Sequence, residues 1–162
     1  MTTILAHLYR HNCWANLAMF GACRDLAQDQ LDRTVEGTYG SLGDTLLHLA
    51  KAEAGYTHHL TGAPRLIERE APFPGVAALI DVLERTGSAL EEVAESLEPT
   101  RQIRIESIER GDKDFPAFVI LLQAVNHATD HRSQIATILT QLGIEVPDLD
   151  LWSWDEAGLS RT

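Results

Sequence analysis

The chain has 162 residues, 44% hydrophobic and 23% charged, a composition expected of one globular domain spanning residues 1–162 that buries its core without disulfides. Against 13 Lys+Arg stand 24 Asp+Glu, for a formal net charge of −11. Such a surface repels phosphate backbones and anionic lipid, which argues against direct nucleic-acid or membrane partners.

The segment Met1–His7 has no basic stretch followed by an apolar run, so no secretory signal is expected. The longest apolar run, Ala117 to Leu122, is far too short to span a bilayer. Cys13 and Cys23, placed on one helix, would lie about 15 Å apart at ~1.5 Å per residue. A disulfide needs Cα atoms within about 7 Å, so the two read as core-filling thiols of a reducing, cytoplasmic protein.

In chain order, a first helix is expected from Ile4 to Ala27, with Leu5, Leu8, Asn12, Ala15 and Met19 at helical spacing. Gly37-Thr38-Tyr39-Gly40 reads as a loop. Ser41 then caps a second helix, with Asp44 favouring its positive end. Leu42, Leu46, Leu49, Tyr56 and Leu60 form the stripe of that helix, and Gly62 and Pro64 end it. A connector rich in proline leads to a third helix, Gly75 to Leu97. Gln102–Glu106 alternates apolar and polar, predicting a short extended segment, and Arg110-Gly111-Asp112 predicts a turn. The fourth helix is expected to start near Phe115-Pro116 and to run to Leu142, with Gly143 just past its end. The fold class predicted is all-α: a four-helix bundle with long connections around helix three and a short extended segment before helix four. Those connections permit a helix order other than simple up-and-down. The tail, with Trp152 and Trp154, is expected to be non-helical, its aromatics either covering their own chain or joining a dimer interface.

Chemistry concentrates on the seven histidines. His127 and His131 lie one turn apart, within the stripe Ile120, Ala124, His127, His131, Ile135, Ile138. Buried imidazoles need partners for their ring nitrogens, and one metal ion supplies a partner for two rings at once. Seven histidines give roughly 0.3 such pairs by chance, so spacing alone leaves both metal coordination and ordinary hydrogen bonding open. His48 is a third candidate. Its stripe, Thr45, His48, Ala52, Gly55, His59, carries small residues that either admit a close helix or leave a pocket beside the ring. Three histidines would leave positions at the metal open to water or substrate.

A zincin is excluded by Ala128, Thr129 and Asp130 between the paired histidines, and a di-iron carboxylate bundle by the absence of Glu three residues before any histidine. His7 and His11 read as surface or packing residues. His58 and His59 point to different faces, and His59 is roughly 16 Å along the helix from His48. Asp44 and Asp130 are either orienting partners for histidines or solvated acids.

Three segments together resemble the DinB/YfiT-like superfamily of metal-dependent four-helix-bundle proteins. They are Tyr9-Arg10-His11-Asn12-Cys13-Trp14-Ala15-Asn16, Ser41-Leu42-Gly43-Asp44-Thr45-Leu46-Leu47-His48-Leu49 and His127-Ala128-Thr129-Asp130-His131-Arg132-Ser133-Gln134-Ile135. The last matches a His-x-x-x-His-Arg-x-Gln signature. The resemblance implies a divalent metal (nickel, zinc or iron) on His48, His127 and His131, and a homodimer. It also implies thiol-dependent transferase or isomerase chemistry, in which the metal activates a low-molecular-weight thiol or water. The expectation is therefore a metal-dependent transferase or hydrolase acting on a small molecule, its catalytic residues unassigned. The alternative is a non-catalytic, stress-related bundle protein with a structural or vestigial metal site. The lack of an evident general base favours that alternative; the three-ligand count opposes it, since structural zinc usually has four.

Overall fold

The computed structural model describes residues 3–105 and 111–161. Its elements are α1 (Ile4–Ala22), α2 (Gln28–Leu31), α3 (Leu42–Thr61), α4 (Val76–Ser96), β1 (Gln102–Ile105), β2 (Lys113–Pro116), α5 (Ala117–Gln141) and α6 (Leu151–Glu156), followed by a single 3-10 turn, Leu159–Arg161. The four long helices are those expected. α3 begins with a capping box: Ser41 Oγ accepts the Asp44 N–H at 3.1 Å while the Asp44 carboxylate accepts the Ser41 N–H at 3.1 Å. It ends at Gly62, whose φ of 76° is the left-handed conformation that glycine adopts without strain.

Three expectations are corrected. α1 stops at Ala22, not Ala27, because the chain turns at Cys23–Asp25 and folds Leu26 and the buried Leu31 back onto the core. Phe115 and Pro116 end a strand instead of starting a helix; β2 pairs antiparallel with β1, with Ile103 opposite Phe115. The tail is helical: Asp150 caps α6 by accepting the Ser153 N–H at 2.8 Å. The extended segment at 102–105 is confirmed as β1, while Glu106 and Arg110 lie outside the described residues.

The bundle is not a simple up-and-down one. α1 packs against α4 and α5, and α3 packs against the same two, so α1 lies diagonal to α3. One buried apolar cluster gathers Phe20 of α1, Leu46 of α3, Leu79 of α4 and Ile138 of α5. The other gathers Tyr9, Leu60, Leu90 and Leu121 from the same helices. The C-terminal end of α1 thus meets the N-terminal ends of α3 and α4 and the C-terminal end of α5, giving the order up-down-down-up. A helix of 21 residues such as α4 is about 30 Å long, at ~1.5 Å per residue. The connector between the parallel α3 and α4, residues 62–75, must cover that length, and its prolines keep it extended. It runs back along α3, where the Lys51 ammonium donates to the Ala71 carbonyl at 2.6 Å.

α1 and α4 approach closely at Gly87. A Cβ there would sit 2.3 Å from Cys13 Sγ and 2.8 Å from Cys13 Cβ. Gly87→Ala is therefore expected to destabilise the fold by roughly 1–2 kcal/mol, overpacking outweighing the gain in helix propensity. Cys13→Ala should relieve part of that loss, since it removes Sγ and keeps the Cβ, a coupling that chemical denaturation of the double-mutant cycle measures.

Candidate metal centre

Between the two apolar clusters lies a layer of buried polar side chains. Asn12 and Asn16 of α1, Glu53 of α3, Thr86 of α4 and Arg132 of α5 are all buried. Glu53 accepts from Thr86 Oγ1 at 2.6 Å and from Asn16 Nδ2 at 2.7 Å. Arg132 donates to Asn12 Oδ1 at 2.8 Å and Asn16 Oδ1 at 2.6 Å. The asparagines thus stand between the two charges, each amide giving its N–H₂ to Glu53 and its oxygen to Arg132. Among the described residues no buried side-chain nitrogen or oxygen lacks a partner. The sequence signal was present: each of these polar residues occupies a position on the apolar stripe of its helix.

Burial, offset in part by Thr86, Arg132 and the asparagines, pushes the Glu53 carboxyl up to about 7. Between about pH 5 and 7 the folded state therefore holds a proton that the unfolded chain has released. Stability from this group is full below its ordinary 4.5 and is lost as pH rises through about 7. The stability difference between the wild type and Glu53→Gln is expected to change in that direction across the window. A difference that does not vary with pH would show that Glu53 does not titrate there.

Beside this layer, on the α3–α5 seam, the three candidate histidines converge. His48 comes from α3 and His127 and His131 from α5, and one ring nitrogen from each lies within 4.8 Å of the others. His48 Nε2 and His127 Nε2 are 3.0 Å apart. Two nitrogens sharing a tetrahedral ion at ~2.0–2.1 Å are separated by roughly 3.3 Å, so the His48–His127 pair is spaced close to two ligands of one small divalent cation, with His131 near enough to join them. Burial, then the neighbouring His131 and His48, push His127 down to about 4. Burial followed by His131 also lowers His48. His127 is thus neutral at pH 7, the form that ligates.

Gln134 sets the third ring. Its Oε1 accepts from the Tyr39 N–H at 2.9 Å and lies 3.3 Å from His131 Nδ1. Because that oxygen only accepts, His131 donates from Nδ1 and keeps a lone pair on Nε2. Asp130 contacts Gln134 Nε2 at 3.3 Å and so acts on His131 only through the amide. Asp44 is spent on the capping box and orients no histidine. The Tyr39 ring stacks on His48 with centroids 3.9 Å apart and meets His131 edge-on at 5.6 Å.

The remaining histidines stay out of the cluster. His11 Nε2 meets the Leu149 carbonyl at 2.8 Å, and its ring contacts Trp14 and Trp154. His58 Nδ1 meets the Ala63 carbonyl at 2.6 Å. Both cysteines are free thiols, Cys23 buried and Cys13 partly so. The small residues on the His48 stripe leave a pocket, as one of the two expectations had it. Adjoining cavities of about 320 Å³ and 580 Å³ open beside His48, bordered by α3, the 62–75 connector and Ile105. No helix among the described residues is long and apolar enough to cross a membrane.

Known proteins share this fold. Protein DinB of Bacillus subtilis (strain 168) is 20% identical over 152 residues, covering 88% of each chain. The crystal structure of a DinB-like protein from Bacillus cereus ATCC 10987 superposes with a TM-score of 0.67 at 18% identity, covering 91% of this chain and 97% of that one. That likeness shows the helical-bundle fold. The sequence profile of the DinB family matches residues 1–158, nearly the whole bundle and all three histidines, and the chain belongs to the DinB family.

Proposed function

We propose that His48, His127 and His131 hold one divalent metal ion and that the protein is a metal-dependent enzyme acting on a small molecule. The observation that carries this reading is the convergence of three imidazole nitrogens within 4.8 Å at the edge of an open cavity. Three protein ligands leave room for a further one, as catalytic sites do. A divalent cation supplies Lewis acidity there, suited to transferase or hydrolase chemistry with water or a low-molecular-weight thiol. The chain's own residues prepare the place. Gln134 fixes the His131 tautomer, and burial keeps His127 unprotonated. The Tyr39 ring, stacked on His48, shields one side of it. Nickel, zinc and iron all accept imidazole, so the donor set leaves the choice of metal to measurement.

Metal analysis of protein purified without a histidine tag tests the reading. Close to one equivalent is expected; less than about a tenth of an equivalent, with no uptake on adding nickel, zinc or ferrous iron, would end it. One equivalent without metal-dependent turnover across a panel of thiols and electrophiles would favour a non-catalytic site. The proposed homodimer has a separate check. Trp154 is buried against His11, but Trp152 is 78% exposed, an aromatic free to anchor a partner. Light scattering should give twice the chain mass; a monomer at working concentration would refute it.

A further inference from the structure

The walls of the cavity beside His48 are positively charged on a chain of net charge −11. Lys51, Arg65 and Arg69, three of the chain's 13 Lys+Arg, line the 320 Å³ cavity together with His59, and no carboxylate of the described residues lines it. Lys51 and Arg69 also line the 580 Å³ cavity, where Asp44 is the one acid and is already bound into the α3 cap. Arg65 lies directly on α3: a Cβ on Gly55 would come within 2.9 Å of its Nη1. Gly55 is therefore the residue that lets a guanidinium lie flat on the helix, two turns from His48.

Neither arginine makes an ion pair or hydrogen bond with any described residue, although Arg65 is partly buried. Burial and then Arg69 disfavour the Arg65 charge, and Glu68 offsets this in part. Holding two guanidinium groups and an ammonium around one hollow costs stability unless an anion occupies it. Their placement depends on the 62–75 connector, which lies along α3 and carries both arginines. Planar guanidinium groups match the oxygens of carboxylate and phosphoryl groups, and a cavity lined by one sign of charge concentrates ligands of the other.

We infer that this cavity binds a small molecule bearing carboxylate or phosphoryl groups, with Arg65, Arg69 and Lys51 gripping the anionic end and placing the remainder at the three histidines. The second half rests on the metal-centre reading above; the first does not. The substrate class of the enzyme is then an organic anion, drawn to a basic pocket on an otherwise acidic protein.

Calorimetric titration of the full chain with malonate, inorganic phosphate and the neutral isostere malonamide tests this, in metal-loaded and chelator-treated protein. Malonate or phosphate is expected to bind and malonamide not. Arg65→Gln and Arg69→Gln should each weaken the anion by about tenfold, with metal content unchanged and the anion-free melting temperature no lower than that of the wild type. Arg69 is exposed, so its variant remains informative if the Arg65 variant folds poorly. Equal binding of malonate and malonamide, no binding of either anion, or affinity unmoved by both substitutions would overturn the inference. Arginine-dependent anion binding in protein that takes up no metal would leave the pocket standing and remove the metal centre instead. No metal uptake together with no anion binding would remove both. Phosphate binding alone would identify the recognised group as phosphoryl; malonate binding alone would identify it as carboxylate.

Discussion

His127→Ala is expected to lower affinity for a divalent metal by more than about a hundredfold while leaving the bundle folded. Changes to groups that only orient a metal ligand already cost roughly 10- to 100-fold, and this substitution removes a ligand outright. The ring is only partly buried, so the packing loss is small beside the binding loss. His48→Ala should behave alike, and His131→Ala should add a moderate loss of stability because that ring is buried. Gln134→Ala should fall between these variants and the wild type, its effect passing through the His131 tautomer. Thermal unfolding with and without added metal reads all four. A ligand present at about a thousandfold above its Kd stabilises the folded state by ~4 kcal/mol, and a hundredfold loss of affinity cuts that increment to ~1.4 kcal/mol or less in the histidine variants. Equal metal-induced shifts in all the histidine variants and the wild type would rule out this centre.

The second large effect is at Arg132. Arg132→Met removes the only cation in the buried polar layer and leaves Asn12 Oδ1, Asn16 Oδ1 and the Glu53 charge without their donor or counterpart. Breaking a buried charge pair from one side typically costs about 3–5 kcal/mol. In a domain whose whole stability is ~5–15 kcal/mol this is a melting-temperature fall of roughly 6–20 °C. The loss should shrink on acidification from about pH 8 to 5, because protonated Glu53 no longer needs the guanidinium. Glu53→Gln in the same chain should recover part of it. A loss below about 1 kcal/mol at pH 8, by urea titration, would show that the layer is better hydrated than its burial indicates.

The parts of the molecule that depend on local chemistry were legible in the sequence. Ser41, Gly62 and Gly143 mark helix ends through their own backbone and side-chain preferences, and the structure places the ends there. The histidine trio was legible for a related reason. Helical phase puts His127 and His131 on one face and marks His48 as a third candidate on its own stripe, and the family resemblance implied the same three. What escaped depends on which helices are neighbours. Asn12 was read as one more member of an apolar stripe, and Glu53 and Thr86 passed unnoticed on theirs; their meaning needs the up-down-down-up order that brings four helices to one layer. The basic pocket escaped similarly, since Arg65 and Arg69 lie in a proline-rich connector whose path along α3 no periodicity reveals. α6 was missed because six residues are too few to display a helical period.

The helix order also bears on how the chain reaches its native state. Consecutive long helices are either diagonal, as α1 with α3 and α4 with α5, or parallel, as α3 with α4, so no antiparallel neighbours are joined by a short loop. No helical hairpin is available to form early and template the rest, and every antiparallel seam must close a long loop first. Refolding is therefore expected to be slower than for an up-and-down bundle of equal length, with the rate set by loop closure instead of helix growth. His48 and His127 stand 79 positions apart on helices that meet only when α5 docks. The imidazole trio thus comes into existence only when α5 docks on α3, and a chain that has not yet made α5 has no three-ligand site to trap an ion prematurely.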